Sequence, residues 1–105
     1  MKYIVVKTTF DQHGEALGMA KLLLEKHLVS CVQISEIDSL YHWKGKIAKE
    51  HEFILTMKSK ESLYSEIEKE IKQYHSYETP QIIVIPIING SKDYLDWIDE
   101  TTNQG

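Results

Sequence analysis

Arginine is absent from the sequence: all twelve basic residues are lysines. The planar guanidinium fork is the usual bidentate clamp for phosphate, carboxylate and guanine edges. Its absence, with a net charge of −4, argues against nucleic-acid binding. Cysteine is nearly absent as well. Cys31 stands alone, so no intrachain disulfide is available, and a reducing, cytoplasmic setting is the expectation. Long hydrophobic runs are missing. The longest, Ile82 to Ile88, is far too short to span a bilayer as a helix, and the first residues lack the basic start and apolar stretch of a signal peptide. No internal repeat, linker or low-complexity segment interrupts the chain, so residues 1–105 are expected to form one domain with its own core.

What is present is a regular alternation of strand and helix patterns. Tyr3-Ile4-Val5-Val6 opens a buried strand reaching about Thr9. Asp11 is placed to cap a helix, with Glu15 in its first turn and an apolar stripe at positions 16, 17, 20, 23, 24 and 28, ending near Val29. Cys31 to Trp43 has strand composition but changes phase: Val32 and Ile34 share one face, and Ile37, Tyr41 and Trp43 the other. That shift predicts a bulge between Ser35 and Ser39. Lys44-Gly45 reads as a hairpin tip. The return strand alternates, with Ile47, Phe53, Leu55 and Met57 on one face and Glu50 and Glu52 on the other.

Ser59 is placed to cap a second helix with a stripe of Leu63, Ile67, Ile71 and Tyr74, and Glu68 and Lys72 are spaced as an i,i+4 pair. Ile82 to Ile88 reads as a strand buried on both faces, with Pro86 marking a sheet edge or bulge. Ser91 starts a last helix carrying Tyr94, Leu95, Trp97 and Ile98, and residues 102–105 are expected to fray. The order βαββαβ plus a C-terminal helix predicts an α+β, ferredoxin-like fold with two helices on one face of an antiparallel sheet.

Length then decides something. A strand from Cys31 to Trp43 extends roughly 40 Å at about 3.3 Å per residue. A globule of this size has a radius of gyration of about 13 Å and a diameter of about 35 Å. The hairpin should protrude, leaving Tyr41 and Trp43 poorly covered in a single copy. Exposed edges and aromatic patches invite pairing with another chain, so a homo-oligomer is expected.

Several segments together resemble the CutA family of divalent-cation-tolerance proteins. They are Thr8 and Asp11 after the first strand, Cys31-Val32, Ser39-Leu40-Tyr41-His42-Trp43-Lys44-Gly45, Tyr77-Glu78-Thr79-Pro80 before Ile85-Pro86-Ile87, and Tyr94-Leu95-Asp96-Trp97-Ile98. The resemblance implies a ferredoxin-like subunit in a homotrimer joined through the hairpin strands and resembling PII signalling proteins in build. It also implies a link to copper or another divalent cation, with no catalytic activity and no organic cofactor. Some members carry a cysteine in the first strand and two adjacent histidines before the Tyr-x-x-Pro segment. Lys7 and Tyr74-His75 occupy those places here, so only His75 carries over.

Two residues are therefore candidate metal ligands. His75 is either a helix-terminal imidazole favoured by the dipole or one ligand completed by other subunits. Cys31 is either a small apolar packing group or a soft copper(I) ligand. His42 and His51 fall on opposite arms of the hairpin, too far apart to share one ion, and His51 reads as part of a solvated rim. Tyr41, Trp43, Tyr77, Tyr94 and Trp97 suit core and subunit packing. An intersubunit cleft lined by Tyr41, Trp43, Glu50, Lys58 and Tyr77 is the alternative, holding a small anionic ligand as a PII-like module would. Catalytic patterns are missing: there is no Gly-rich phosphate loop, no Ser-His-Asp set, and none of the arginine on which ferredoxin-like acylphosphatases depend.

Overall fold

The computed structural model describes residues 2–104. A four-stranded antiparallel sheet in the order β2-β3-β1-β4 carries three helices. Along the chain run β1 (Tyr3–Phe10), α1 (His13–Glu25), β2 (Cys31–Trp43), β3 (Lys46–Lys60), a 3-10 turn (Glu61–Leu63), α2 (Tyr64–Tyr74), β4 (Ile82–Pro86) and α3 (Lys92–Thr101). The class is α+β, and every expected element exists.

Register defines the two faces of the sheet. Ile4, Val6, Thr8 and Phe10 of β1 stand beside Ser59, Met57, Leu55 and Phe53 of β3, and Val32 and Ile34 of β2 continue the row. This inner face packs under α1 and α2, whose Ala16, Met19, Leu23, Ile67 and Ile71 complete the core. The outer face carries Val5, Ile37, Ile54, Ile83 and Ile85. Only α3 lies on it, at the end where Asp99 meets Lys60 and Lys2 at 3.1 and 3.3 Å.

The overhang is real. The molecule measures 45 × 25 × 21 Å with a radius of gyration of 14.3 Å. β2 and β3 pair without a break from Cys31 opposite Lys58 to Trp43 opposite Lys46, and Lys44 and Gly45 turn with φ of 50° and 75°. The expected bulge is therefore absent. The phase change marks where the apolar demand passes from the inner face, under the helices, to the outer one.

Other local expectations are corrected. Gln12, not Asp11, is the N-cap of α1, without a side-chain cap bond. The helix ends at Glu25 because His27 adopts φ 55°; the amides of His27 and Leu28 then bond back to the carbonyls of Leu24 and Leu23 at 3.0 Å each. Leu17 and Leu24 are partly exposed, and Met19 takes the buried place instead. Ser59 lies within β3 and donates to the Leu28 carbonyl at 2.5 Å rather than capping α2. Tyr74 is exposed, and Glu68 accepts from the Tyr64 hydroxyl. β4 ends at Pro86 and is an edge strand, as the proline suggested, but it is not covered on both faces: Ile83 and Ile85 are 44% and 43% exposed. The C-terminus does not fray through its length. Thr102 is buried, and Asn103 bonds the His27 and Lys26 carbonyls at 2.9 and 2.8 Å. Gly105 lies outside the described residues.

Candidate functional site

Where β3 leaves the domain, its alternation puts Glu50 and Glu52 in succession on the outer face. Tyr41 of β2 reaches them from one register step away, since its direct partner is Ala48 and that of Ser39 is Glu50. Tyr77 arrives from the α2–β4 connection, and its hydroxyl donates to Glu52 Oε2 at 2.8 Å. Glu52 is only 7% exposed, although the alternating sequence suggested a solvated position. Asp11, just after β1, adds a third negative charge felt by both phenols.

The electrostatics follow from this crowding. Burial, then the hydrogen bond to Glu52, then the charges of Glu52, Asp11 and Glu50 hold the Tyr77 hydroxyl well above its ordinary value of 10.0. Tyr41 is raised chiefly by its hydrogen bond to Glu50. Both phenols are thus donors matched to carboxylate acceptors.

His75 braces this arrangement from behind. Its Nδ1 accepts the Tyr77 backbone N–H at 3.0 Å, so the ring hydrogen sits on Nε2 and is donated to the Thr9 carbonyl at 2.7 Å. The ring stacks on Phe10 at 4.2 Å with 13° between planes. Both nitrogens are engaged by the chain itself. Cys31 is elsewhere: it pairs with Lys58, which stands opposite Val5, four positions from Thr9. That is roughly 13 Å along the strands and two strands across. One copy therefore does not bring His75 and Cys31 together, and no group of three His, Cys, Asp or Glu suited to a metal ion forms among the described residues. Cys31 instead neighbours Tyr94 of α3, whose hydroxyl is raised first by burial and then by the thiol.

Of the expected cleft residues, Tyr41, Glu50 and Tyr77 gather. Trp43 sits two positions further toward the tip, exposed, with Lys44 Nζ 5.4 Å from its ring centroid. Lys58 is six residues from Glu52, roughly 20 Å along the strand, and donates to Gln33 at 2.5 Å. Sequence reasoning missed Asp11 and Glu52. The i,i+2 spacing of Glu50 and Glu52 was the available signal; what hid Glu52's burial was Tyr77, 25 positions away in sequence.

With this geometry in place, comparison with known proteins is decisive. Residues 4–101 match the family model described as CutA1 divalent ion tolerance protein. The chain belongs to the CutA1 family. It is 48% identical over 87 residues to the divalent-cation tolerance protein CutA of Archaeoglobus fulgidus, covering 83% of this chain and 85% of that one. The CutA1 structure from Oryza sativa superposes with a TM-score of 0.96 at 31% identity, covering 100% of this chain and 97% of that one. A CutA structure from A. fulgidus gives 0.92 at 43% identity, covering 94% and 97%.

That last CutA relative is described as periplasmic, and it overturns the cytoplasmic expectation. The expectation rested on a lone cysteine and on the missing signal-peptide pattern, and neither of these chooses a compartment. Among the described residues no helix is long and apolar enough to cross a membrane. The family is named for tolerance of divalent ions, not for a reaction.

Proposed function

We propose that the protein is a homotrimeric, ferredoxin-like binder of divalent metal ions acting in metal tolerance, non-enzymatic and without an organic cofactor. The observation carrying this reading is the family match across nearly the whole chain. Strand order β4-β1-β3-β2, read from the opposite edge, fits the ferredoxin-like layout. Assembly draws support from the outer face, where Ile83 and Ile85 of an edge strand stand nearly half exposed and the hairpin overhangs.

Copper or another divalent cation is held weakly, since one copy supplies no converging three-donor set among the described residues. For His75 to act as a ligand it must give up its bond from Tyr77 or its bond to Thr9. Calorimetric titration of the wild-type chain with Cu(II), Zn(II) and Mg(II), in a buffer that does not chelate, tests the cation reading. Saturable binding of a transition ion with little response to Mg(II) supports it, and no heat up to millimolar ion removes it. His75→Ala and Cys31→Ser then assign those two donors: unchanged affinity and stoichiometry would exclude them and leave cation binding standing. Light scattering tests the assembly, expecting three copies of a 12.2 kDa chain.

A further inference from the structure

On the helix-side face of the overhanging hairpin, three side chains unused by the cluster above meet. His51 of β3 stands directly opposite Asp38 of β2 and one register step from Glu36. Its Nε2 lies 3.4 Å from Glu36 Oε2 and its Nδ1 3.6 Å from Asp38 Oδ1. The imidazole also rests edge-on against Phe53, at 5.4 Å and 88°, which limits how the ring can swing. His13 of α1 meets the same Phe53 ring at 5.2 Å.

A neutral imidazole has one N–H, yet both ring nitrogens here face carboxylates. One of the two contacts therefore sets a lone pair against a carboxylate oxygen with no hydrogen between them. Either a proton or a metal cation resolves that opposition. The distances favour a metal on the Glu36 side. Two donors, each about 2.0–2.1 Å from one tetrahedral zinc ion, are about 3.3–3.4 Å apart, the separation found between Glu36 Oε2 and His51 Nε2. Asp38 Oδ1, 3.6 Å from Nδ1, is then a small ring rotation from accepting its hydrogen, which would fix the tautomer that leaves Nε2 free to ligate, the usual carboxylate–histidine–metal relay.

We propose that Glu36 and His51 ligate a borderline divalent transition ion of the zinc or copper(II) type, with Asp38 orienting the imidazole. This rests on the cation-binding reading above and names where the ion sits. An imidazole nitrogen with a carboxylate oxygen suits Zn(II) and Cu(II) better than Ca(II) or Mg(II), which prefer all-oxygen sets. In the single chain the three side chains are between 55% and 70% exposed, so hydrated ions reach them directly there and water completes the coordination. Two donors from one chain make a weak, exchangeable site rather than a permanent cage.

Zn(II) titration of the full chain, followed by NMR of the histidine rings and by calorimetry, provides the test. The His51 ring signals are expected to move before those of His13, His27, His42 and His75. His51→Gln should weaken binding by about tenfold or more, and Asp38→Asn, acting through ring orientation, also by about tenfold. Glu36→Gln should weaken it, while His42→Gln, on the same face but four positions nearer the tip and roughly 13 Å away, should leave it unchanged. If the wild-type chain binds zinc but another histidine responds first, or His51→Gln binds as tightly, this site is wrong and the cation reading survives. If the wild-type chain binds no ion at millimolar concentration, both fall.

Discussion

The hydroxyl of Tyr77 donates to the nearly buried carboxylate of Glu52. Tyr77→Phe removes it while keeping the ring against His75, so the cost is that of a charged acceptor losing its partner, about 1–3 kcal/mol at neutral pH. Urea unfolding of the two chains measures this. Since folding raises the Tyr77 pKa above 10.0, the pair's contribution is complete below that value and is lost as pH rises through the folded-state value. Stabilities of wild type and Tyr77→Phe should therefore converge in strong alkali. Asp99 gives the opposite sign. Its bond from Lys60 and its pairing with Lys2 hold the carboxyl below its ordinary 3.8, so that stabilisation is present above 3.8 and disappears as pH falls through the lowered value. Asp99→Asn strips Lys60, a nearly buried ammonium, of its counter-charge. The melting temperature should fall at pH 7, and the gap to wild type should close as pH falls through the lowered Asp99 value.

The tip of the hairpin isolates a backbone effect. Gly45 turns at φ 75° and a Cβ placed there would meet nothing within 4 Å. Gly45→Ala thus carries no steric clash, only the left-handed penalty of about 1–2 kcal/mol. Chemical denaturation should show that loss, with the hairpin retained. Lys44-Gly45 was legible as a turn because glycine announces it; the end of α1 was not, because His27 takes the left-handed position usually held by glycine. The same logic separates other readings from their outcomes. Strand and helix order follow from local periodicity, and the sequence shows that plainly. Whether a polar residue such as Ser59 caps a helix or bonds a distant carbonyl depends on the tertiary neighbour, here Leu28. The carboxylate–phenol cluster was half visible: Glu50 and Glu52 share a face by strand alternation, whereas the burial of Glu52 requires a loop 25 residues further on. The inferred bulge failed because a change in apolar phase can mean a change of covering partner instead of a change of register.

At the scale of the whole molecule, one copy is left with an unfinished sheet. Within the domain its inner face is sealed by α1 and α2, while its outer face presents Ile83 and Ile85 at an open edge and continues along a hairpin that gives the particle its 45 Å axis. Burying those two side chains against sister copies is favourable at about 25 cal/mol per Å² of apolar surface removed from water. A charge set there acts differently on the subunit and on the assembly. Ile85→Lys changes a position already 43% exposed in the single chain, so subunit stability should shift by about 0.5 kcal/mol or less. In the proposed trimer the same lysine would be desolvated without a partner, which costs on the order of several kcal/mol per site, the usual penalty for a buried ion. Light scattering should therefore find Ile85→Lys as a 12.2 kDa monomer with an unchanged far-ultraviolet spectrum, and the wild type as a threefold larger particle. A variant that stays assembled would move the interface off this face; a monomeric wild type would remove the assembly altogether.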